Sequence, residues 1–450
     1  MSLETDLLVV GAGAKGTAIA MKVHVLNSLG LGPITLTLVE ATGPAAAWRD
    51  GNGVTSSREI LGITPSKDVG FPYQGRCSFG EAGEAIDRAA AAFSWQQYLI
   101  ETGRYANWVD AGVPPVQRRV YGKYLAWVCS GATEGVTFVR GRVARVSLTP
   151  RADRWTVDVA GASGPSQYGC RAFVLTGPGV HRSISHDVDA ASRVLDCDSG
   201  RMEIARAPIE ESSDIAIVGG GESALSCLEF SRALRPDARL TIYTPSLPRS
   251  RAETFLENRV FSNPDQVDWA SLSPQVRRDF INRGDRGVFG PDRVAPFGYD
   301  ERCHFVIGQV EHVASARGGR GVRVDYASTK GSMTAEHDYV INCTGFDLLE
   351  QMRTLMPSPS RQEVERRIGP LWGTSPDELA IGRCLELQGL SPRLHLPGLA
   401  AMSQGPGFAI LGSLGLMADR VLQPFMLDRE NAARGLRSTG ESPPPAARVA

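Results

Sequence analysis

Two stretches of this chain have the residue types and spacing to hold a nucleotide. The first runs Leu7-Leu8-Val9-Val10-Gly11-Ala12-Gly13-Ala14-Lys15-Gly16, followed by Thr17-Ala18-Ile19-Ala20-Met21. Four apolar residues predict a buried parallel strand, and the Gly-x-Gly-x-x-Gly turn opens directly into a helical run. Gly11 permits the tight turn, Gly13 lets backbone approach a pyrophosphate, and Gly16 lets the helix lie close on the strand. The pyrophosphate then rests on the helix N-terminus, where unpaired N–H groups and the helix dipole favour negative charge. A second strand, Ile34 to Val39, ends in Glu40, a carboxylate placed to bind ribose hydroxyls.

The second stretch is Asp214-Ile215-Ala216-Ile217-Val218-Gly219-Gly220-Gly221-Glu222-Ser223-Ala224, a strand, a Gly-x-Gly-x-x-Ala turn and a helix start. Gly219, Gly221 and Ser223 are the phosphate-binding candidates. The next strand, Arg239 to Thr244, ends without an acid, and Arg249 and Arg251 follow. A missing carboxylate with nearby guanidinium groups suits a 2′-phosphate, so the second nucleotide is expected to be NADPH. Two such units in one chain suggest FAD in the first and NADPH in the second.

Other chemistries fit worse. Gly221-Glu222-Ser223-Ala224-Leu225 lacks the second glycine of a hydrolase nucleophile elbow. Lys15-Gly16-Thr17 reverses the order a P-loop NTPase needs. The eight cysteines are dispersed, with no Cys-x-x-Cys, which argues against a zinc site, a dithiol redox centre or a disulfide framework. No two histidines have the i, i+4 spacing of a helical metal pair, and no metal is expected. His181 follows Gly177 as in the Baeyer–Villiger signature, but Leu175 and Ser185 stand where that signature has Phe and Trp, so His181 reads as a loop residue.

These sites must be positioned by an α/β chain of two Rossmann-like dinucleotide-binding domains, the second inserted in the first, with a small substrate-binding region. The length, 450 residues, is ample, and a net charge of −1 with 42% apolar residues gives no reason to expect nucleic acid. An acidic N-terminus and no apolar run near ~20 residues predict neither a leader nor a membrane span, so the chain is expected to be cytoplasmic. Ser94 to Thr102 and Gly122 to Cys129 predict helices whose Trp and Tyr residues are mostly core. Val136 to Val139, Trp155 to Val159 and Ala172 to Leu175 predict strands, the last running into Thr176-Gly177. The strand Tyr339 to Phe346 is expected to return to the first domain. From Leu394 the order is strand, glycine loop and helix, with Gly405 and Gly407 facing the flavin. The expected boundaries are 1–205 for the first part of the FAD domain, 206–338 for the NADPH domain, 339–430 for the FAD return segment and 431–450 for a disordered tail.

The segment Lys67-Asp68-Val69-Gly70-Phe71-Pro72-Tyr73, the run Phe255 to Pro264, the Gly219–Ala224 turn, Asp285-Arg286-Gly287-Val288-Phe289, the strand end Asn342 to Phe346 and Gln404-Gly405-Pro406-Gly407-Phe408 occur together in this order. Together they resemble the N-hydroxylating flavin monooxygenases of siderophore pathways, particularly the mycobactin-type lysine N6-hydroxylases. The similarity covers about residues 5 to 425. It implies an FAD-dependent L-lysine N6-monooxygenase that uses NADPH and dioxygen through a C4a-hydroperoxyflavin, with the L-ornithine N5 reaction or peroxide-forming NADPH oxidation as alternatives. By the same resemblance Lys67 pairs with the substrate α-carboxylate, Asn258 hydrogen-bonds its amino-acid end, Trp48 contacts FAD, and the chain is a dimer or tetramer. Several positions depart from the family pattern. Arg49 stands where many members have His, Glu222 where Gln is frequent, Thr244 where some place an NADPH-binding Arg, and Gly287 where the ornithine enzymes have a second substrate Asn. No acid–base dyad is expected, because the flavin carries the chemistry.

Overall fold

The computed structural model describes residues 3–49, 59–61, 69–71, 76–162, 164–198, 213–246, 249–250, 260, 263–284, 288–289 and 291–433. Lys67, Asn258, Arg251 and Gly287, as well as the side chain of Arg249, lie outside the described residues, as does the C-terminal tail beyond 433.

Two sheets carry the chain. The first contains β1 (Leu3–Val10), β2 (Leu36–Glu40), β3 (Val136–Ser147), β4 (Trp155–Gly161) and β5 (Gly164–Leu175). β1 lies between β2 and the C-terminal half of β5, all parallel, and β2 pairs parallel with the first residues of β3. Buried on both faces, β1 has Leu7, Leu8 and Val9 at 0% exposure, which is why its sequence is a continuous apolar run rather than an alternating one. β3 and β5 then run past this parallel core and join β4 in an antiparallel meander, 141–147 with 156–161 and 155–161 with 164–170. Sequence reading captured only the apolar parts of these long strands. Their outer halves alternate with arginines and glycines because one face meets water.

The second sheet is built from β6 to β16, with β6 (Val180–His181) and β16 (Phe346–Asp347) forming a separate antiparallel pair and β10 (Arg249–Ser250) and β11 (Val288–Phe289) a parallel one. Its own strands are β7 (Val194–Asp196), β8 (Asp214–Val218), β9 (Arg239–Thr244), β12 (Cys303–Ser315), β13 (Val322–Ser328), β14 (Gly331–His337) and β15 (Tyr339–Asn342). They lie in the order β14-β13-β12-β9-β8-β15-β7, parallel from β12 to β7 and antiparallel at the β12-β13-β14 edge.

The expectation for Tyr339 to Phe346 is corrected here. β15 pairs Val340 with Ala216 and Val194, so it extends the second sheet, and the chain returns to the first sheet only at β17 (Arg393–His395), beside β5. An apolar strand ending in Cys-Thr-Gly suits either sheet, and only the pairing partner decides.

The core of the first unit includes most of the aromatics of the two predicted helices. Trp95, Tyr98 and Tyr124 are buried, Trp127 is half-buried, Tyr121 joins them from just before the second predicted helix, and Ser94 caps the helix Trp95–Glu101 by accepting from the Gln97 N–H at 3.2 Å. Tyr124 packs edge-on against Trp95 at 5.4 Å and donates to the Phe93 carbonyl at 2.8 Å, satisfying its buried hydroxyl. No helix among the described residues is long and apolar enough to cross a membrane.

Candidate active site

Both glycine turns adopt the predicted geometry, and each glycine has its own constraint. Gly11 has φ +100°, a conformation L side chains rarely adopt, and a Cβ there would lie 2.4 Å from Thr176 Oγ1. Gly16 is needed for contact alone. A Cβ would sit 2.0 Å from the Gly11 carbonyl oxygen and 3.1 Å from Leu38, so the helix Ala14–Ser28 could not approach the strand as it does. Gly13, at the helix N-cap with φ −79°, is different. Its Cβ would meet only Trp48 Nε1, at 3.7 Å, so its bareness serves the open space above the turn. The second turn repeats the pattern. Gly219 at φ +144° lies against the Cys343 carbonyl, Gly220 against Thr244, and Gly221, at the N-cap of the helix Glu222–Leu234, faces open space.

A cavity of about 590 Å³ joins the two turns. Gly11, Gly13, Glu40 and Trp48 line one side and Glu222 and Ser223 the other. The two chain crossings between the sheets form the middle: Thr176-Gly177-Pro178 leaving β5, and Phe346 and Leu348 after β15. These crossings are held side by side by β6 and β16, where Gly179 lets the backbone of Asp347 pass close by. Asn342 ties them further, donating to the Arg182 carbonyl at 2.6 Å while its oxygen accepts from the Thr344 hydroxyl at 2.7 Å.

Glu40 is where the spacing places it. Its Oε2 accepts from the Ala12 N–H at 3.0 Å and Oε1 from the Thr42 N–H at 3.3 Å. A carboxylate has about four acceptor directions, so others remain for ribose hydroxyls. Trp48 stands beside Gly13, its ring edge-on to Tyr121 at 5.2 Å. These features fit FAD: a bare glycine over a helix N-terminus for the pyrophosphate, a carboxylate at the end of the neighbouring strand, and a cavity of ligand size.

The later glycine loop packs beside the cavity. Gly405 is left-handed (φ +129°) and packs against Pro264, where a Cβ would lie 2.3 Å from the proline ring. Neither it nor Gly407 reaches the cavity wall, which is formed one turn later by Ala409, Ile410 and Leu411. The glycines shape the loop, and the residues after them face the cavity. Lys15 links the two, donating to the Ala409 carbonyl at 3.4 Å.

Three functional contacts carry no sequence signal. Arg118 lines the cavity and its Nη1 lies 3.7 Å from Oε2 of the buried Glu59, whose Oε1 accepts from the Ser226 hydroxyl at 2.9 Å. Ser226 is on the helix after the second turn, so this contact joins the two nucleotide units through fully buried groups. Thr176 was legible only as the residue before a glycine, yet its hydroxyl donates to the Val10 carbonyl at 2.7 Å and fixes the first turn. Arg293 grips Glu222 at 2.7 Å and Glu229 at 2.6 and 2.9 Å. Burial works against its charge, but the two carboxylates outweigh that and hold the guanidinium more strongly protonated than usual. The pairing sets a guanidinium against Glu222 at the start of the second helix, so that carboxylate is not a bare charge beside the helix N-terminus.

Two mixed sheets, each with a parallel core whose glycine turn opens onto one cavity, define a flavoprotein that brings a flavin and a nicotinamide dinucleotide together. The sequence profile of the L-lysine 6-monooxygenase/L-ornithine 5-monooxygenase family matches residues 87–290. L-lysine N6-monooxygenase MbtG of Mycobacterium tuberculosis is 34% identical over 427 residues, covering 93% of this chain and 95% of the relative. The solved structure of lysine monooxygenase NbtG from Nocardia farcinica superposes with a TM-score of 0.78 at 34% identity, over 93% of this chain and 99% of that one. The ornithine N-hydroxylase KtzI from Kutzneria sp. 744 shares the fold, with a TM-score of 0.75 at 18% identity over 95% of this chain and all of the other. The chain belongs to the lysine/ornithine N-monooxygenase family, the flavin N-hydroxylating monooxygenases that use FAD and NADPH.

Proposed function

We propose that this chain is an FAD-dependent L-lysine N6-monooxygenase that consumes NADPH and dioxygen and supplies hydroxylysine to a mycobactin-like siderophore pathway. The observation that carries this is the pairing of 34% identity to L-lysine N6-monooxygenases along nearly the whole chain with an intact cavity between two nucleotide turns. FAD, when bound and reduced by NADPH, supplies the activated oxygen. The protein's part is position and dryness. Gly11, Gly13 and the N-terminus of the helix Ala14–Ser28 hold the flavin pyrophosphate, Glu40 the ribose, and Trp48 the side of the cradle. Gly219, Gly221 and Ser223 hold the NADPH pyrophosphate, and Arg249 and Arg251 its 2′-phosphate. Leu61, Leu348, Leu399 and Leu411 give the cavity an apolar wall that keeps water from the reacting oxygen.

Substrate recognition needs one cation for the α-carboxylate and one amide for the amino-acid end, the roles given to Lys67 and Asn258, which leaves the distal amine free to reach the flavin. Gly287, in place of a second asparagine, favours lysine over ornithine. The amine must react uncharged, against a reference pKa near ~10.4, so turnover limited by chemistry should rise from neutral to alkaline pH. The test is hydroxylamine product from the FAD-loaded protein with NADPH and L-lysine, L-ornithine or cadaverine, alongside total NADPH oxidation. Product from lysine but not cadaverine supports the reading. Product only from ornithine overturns the substrate, and NADPH consumption without hydroxylated product overturns the activity. Lys67→Ala should raise the lysine KM strongly with FAD still bound; loss of FAD instead would make Lys67 structural.

A further inference from the structure

At the crossing between the two sheets, three metal-ligating groups converge that the proposed reaction does not use. His181 ends β6, and Cys197 and Asp198 follow β7. Asp198 Oδ2 lies 3.3 Å from His181 Nε2, Asp198 Oδ1 lies 3.6 Å from Cys197 Sγ, and Cys197 Sγ lies 3.9 Å from His181 Nδ1. One donor atom from each residue falls within 4.8 Å of the other two. Zinc bonds of ~2.0–2.3 Å in a tetrahedron place neighbouring donors about 3.4–3.6 Å apart; the pairwise contacts are of that size, but they use both imidazole nitrogens and both carboxylate oxygens, and one atom from each residue spans up to 4.8 Å, so the three groups must draw together by about 1 Å. An imidazole gives a cation only one nitrogen, so binding requires a small turn of the ring or the carboxylate. Cys197 is 3% exposed, and the His181 ring packs on Phe346 with centroids 4.6 Å apart, which limits the reorganisation. Cys197 and Asp198 also line the cavity between the two glycine turns, which leaves room for a water as fourth ligand.

We propose that His181, Cys197 and Asp198 form a site for a thiophilic divalent cation, zinc by its donor set, and that its occupancy slows flavin reduction. A mixed N, S and O set with an open fourth position matches zinc and not a hard cation such as magnesium or calcium. The ion would tie the end of β7 to β6 and β16, the two strands that join the sheets, and, its charge offset by the thiolate and the carboxylate, would act by stiffening this crossing beside the cavity that the two glycine turns share.

The binding half of the test does not depend on the proposed reaction. The FAD-loaded protein is titrated with Co²⁺ and then Zn²⁺, and the d–d bands to the red of the flavin are followed, with FAD content and far-UV circular dichroism confirming the fold of each variant. One Co²⁺ per chain with a tetrahedral spectrum, displaced by Zn²⁺, is the expected result. Cys197→Ser should remove the thiolate-to-cobalt charge transfer, and His181→Ala and Asp198→Asn should each weaken binding by at least ~10-fold. Absence of tetrahedral Co²⁺, or the same spectrum and affinity in all three variants, overturns the site. The second half rests on the NADPH-dependent reading. One equivalent of zinc should slow anaerobic flavin reduction in the parent protein and leave the rate of Cys197→Ser at its own zinc-free value. Equal slowing in both overturns the inhibitory role even where the binding result stands.

Discussion

Gly13 and Gly16 are three residues apart in one turn, and the structure gives them opposite jobs that a pair of alanine substitutions separates. At Gly16 the new Cβ would lie 2.0 Å from the Gly11 carbonyl oxygen. Real Cβ contacts stay beyond about 3 Å, so the helix Ala14–Ser28 must retreat from β1 by ~1 Å or spread the turn. Overpacking of this kind costs about 1–3 kcal/mol or more. The helix is buried on nearly every side, including Thr17, Ala18, Ile19 and Ala20, so the retreat loosens the core as well. Gly16→Ala should lower the melting temperature of the FAD-free protein by roughly 2–5 °C. Gly13→Ala meets no backbone, and its φ of −79° is open to alanine. Its loss of unfolded-state freedom should leave the FAD-free protein as stable as the parent or firmer by ~0.4–1 kcal/mol. Its methyl instead projects to where the pyrophosphate approaches, weakening FAD by about 1–3 kcal/mol, or ~5- to 150-fold in Kd. The assay pairs thermal melts of the FAD-free proteins with FAD titration by flavin fluorescence. The reasoning fails if Gly13→Ala binds FAD like the parent, or if both variants lose stability equally without FAD.

Two buried groups give further tests. Lys22 and Asp419 form an ion pair of 2.7 Å, with side chains 3% and 0% exposed, between the helices Ala14–Ser28 and Leu414–Ala433. Asp419→Asn strands the lysine charge and should cost ~3–5 kcal/mol in chemical denaturation, whereas Lys22→Met with Asp419→Leu should be neutral or stabilising; an equal cost for the double variant would contradict this. His395 is fully buried, its Nδ1 on the Cys384 carbonyl at 2.8 Å, and burial pushes its pKa down to about 4. With the folded pKa below the ordinary 6.5, its contribution is complete above pH 6.5 and is lost as the pH falls towards 4, by about 3 kcal/mol. Asp419 has the opposite sign. Burial raises its pKa to about 6 despite Lys22, so its contribution grows as the pH falls from 6 towards 3.8. The two act in opposite directions in the parent protein, so His395→Gln should lose less stability than the parent between pH 6 and 4. An unchanged pH slope in the variant would refute the assignment.

The sequence by itself determined the two nucleotide turns and the acid that follows the first. Those are local events: a short apolar run, a positive φ at Gly11 and Gly219, and a carboxylate one strand away, all within a few tens of residues. It also determined that most aromatics of the helices around Trp95 and Tyr124 are core, because helical spacing gathers them on one face. What only the tertiary structure decided are the contacts that bring distant segments together. β15 belongs to the second sheet because Ala216 and Val194 are its neighbours, a choice invisible in its own apolar residues. The glycines at 405 and 407 are a local signal, whereas the packing of Pro264 beside Gly405 and the turning of Ala409–Leu411 to the cavity are tertiary. Arg293 on Glu222, Glu59 on Ser226, and His181 beside Cys197 and Asp198 join residues 16 to 167 positions apart. Spacing rules hold for neighbours on one helix or strand, whereas a histidine at the end of β6, read from sequence as a loop residue, and a cysteine after β7 meet only where the folded chain crosses itself.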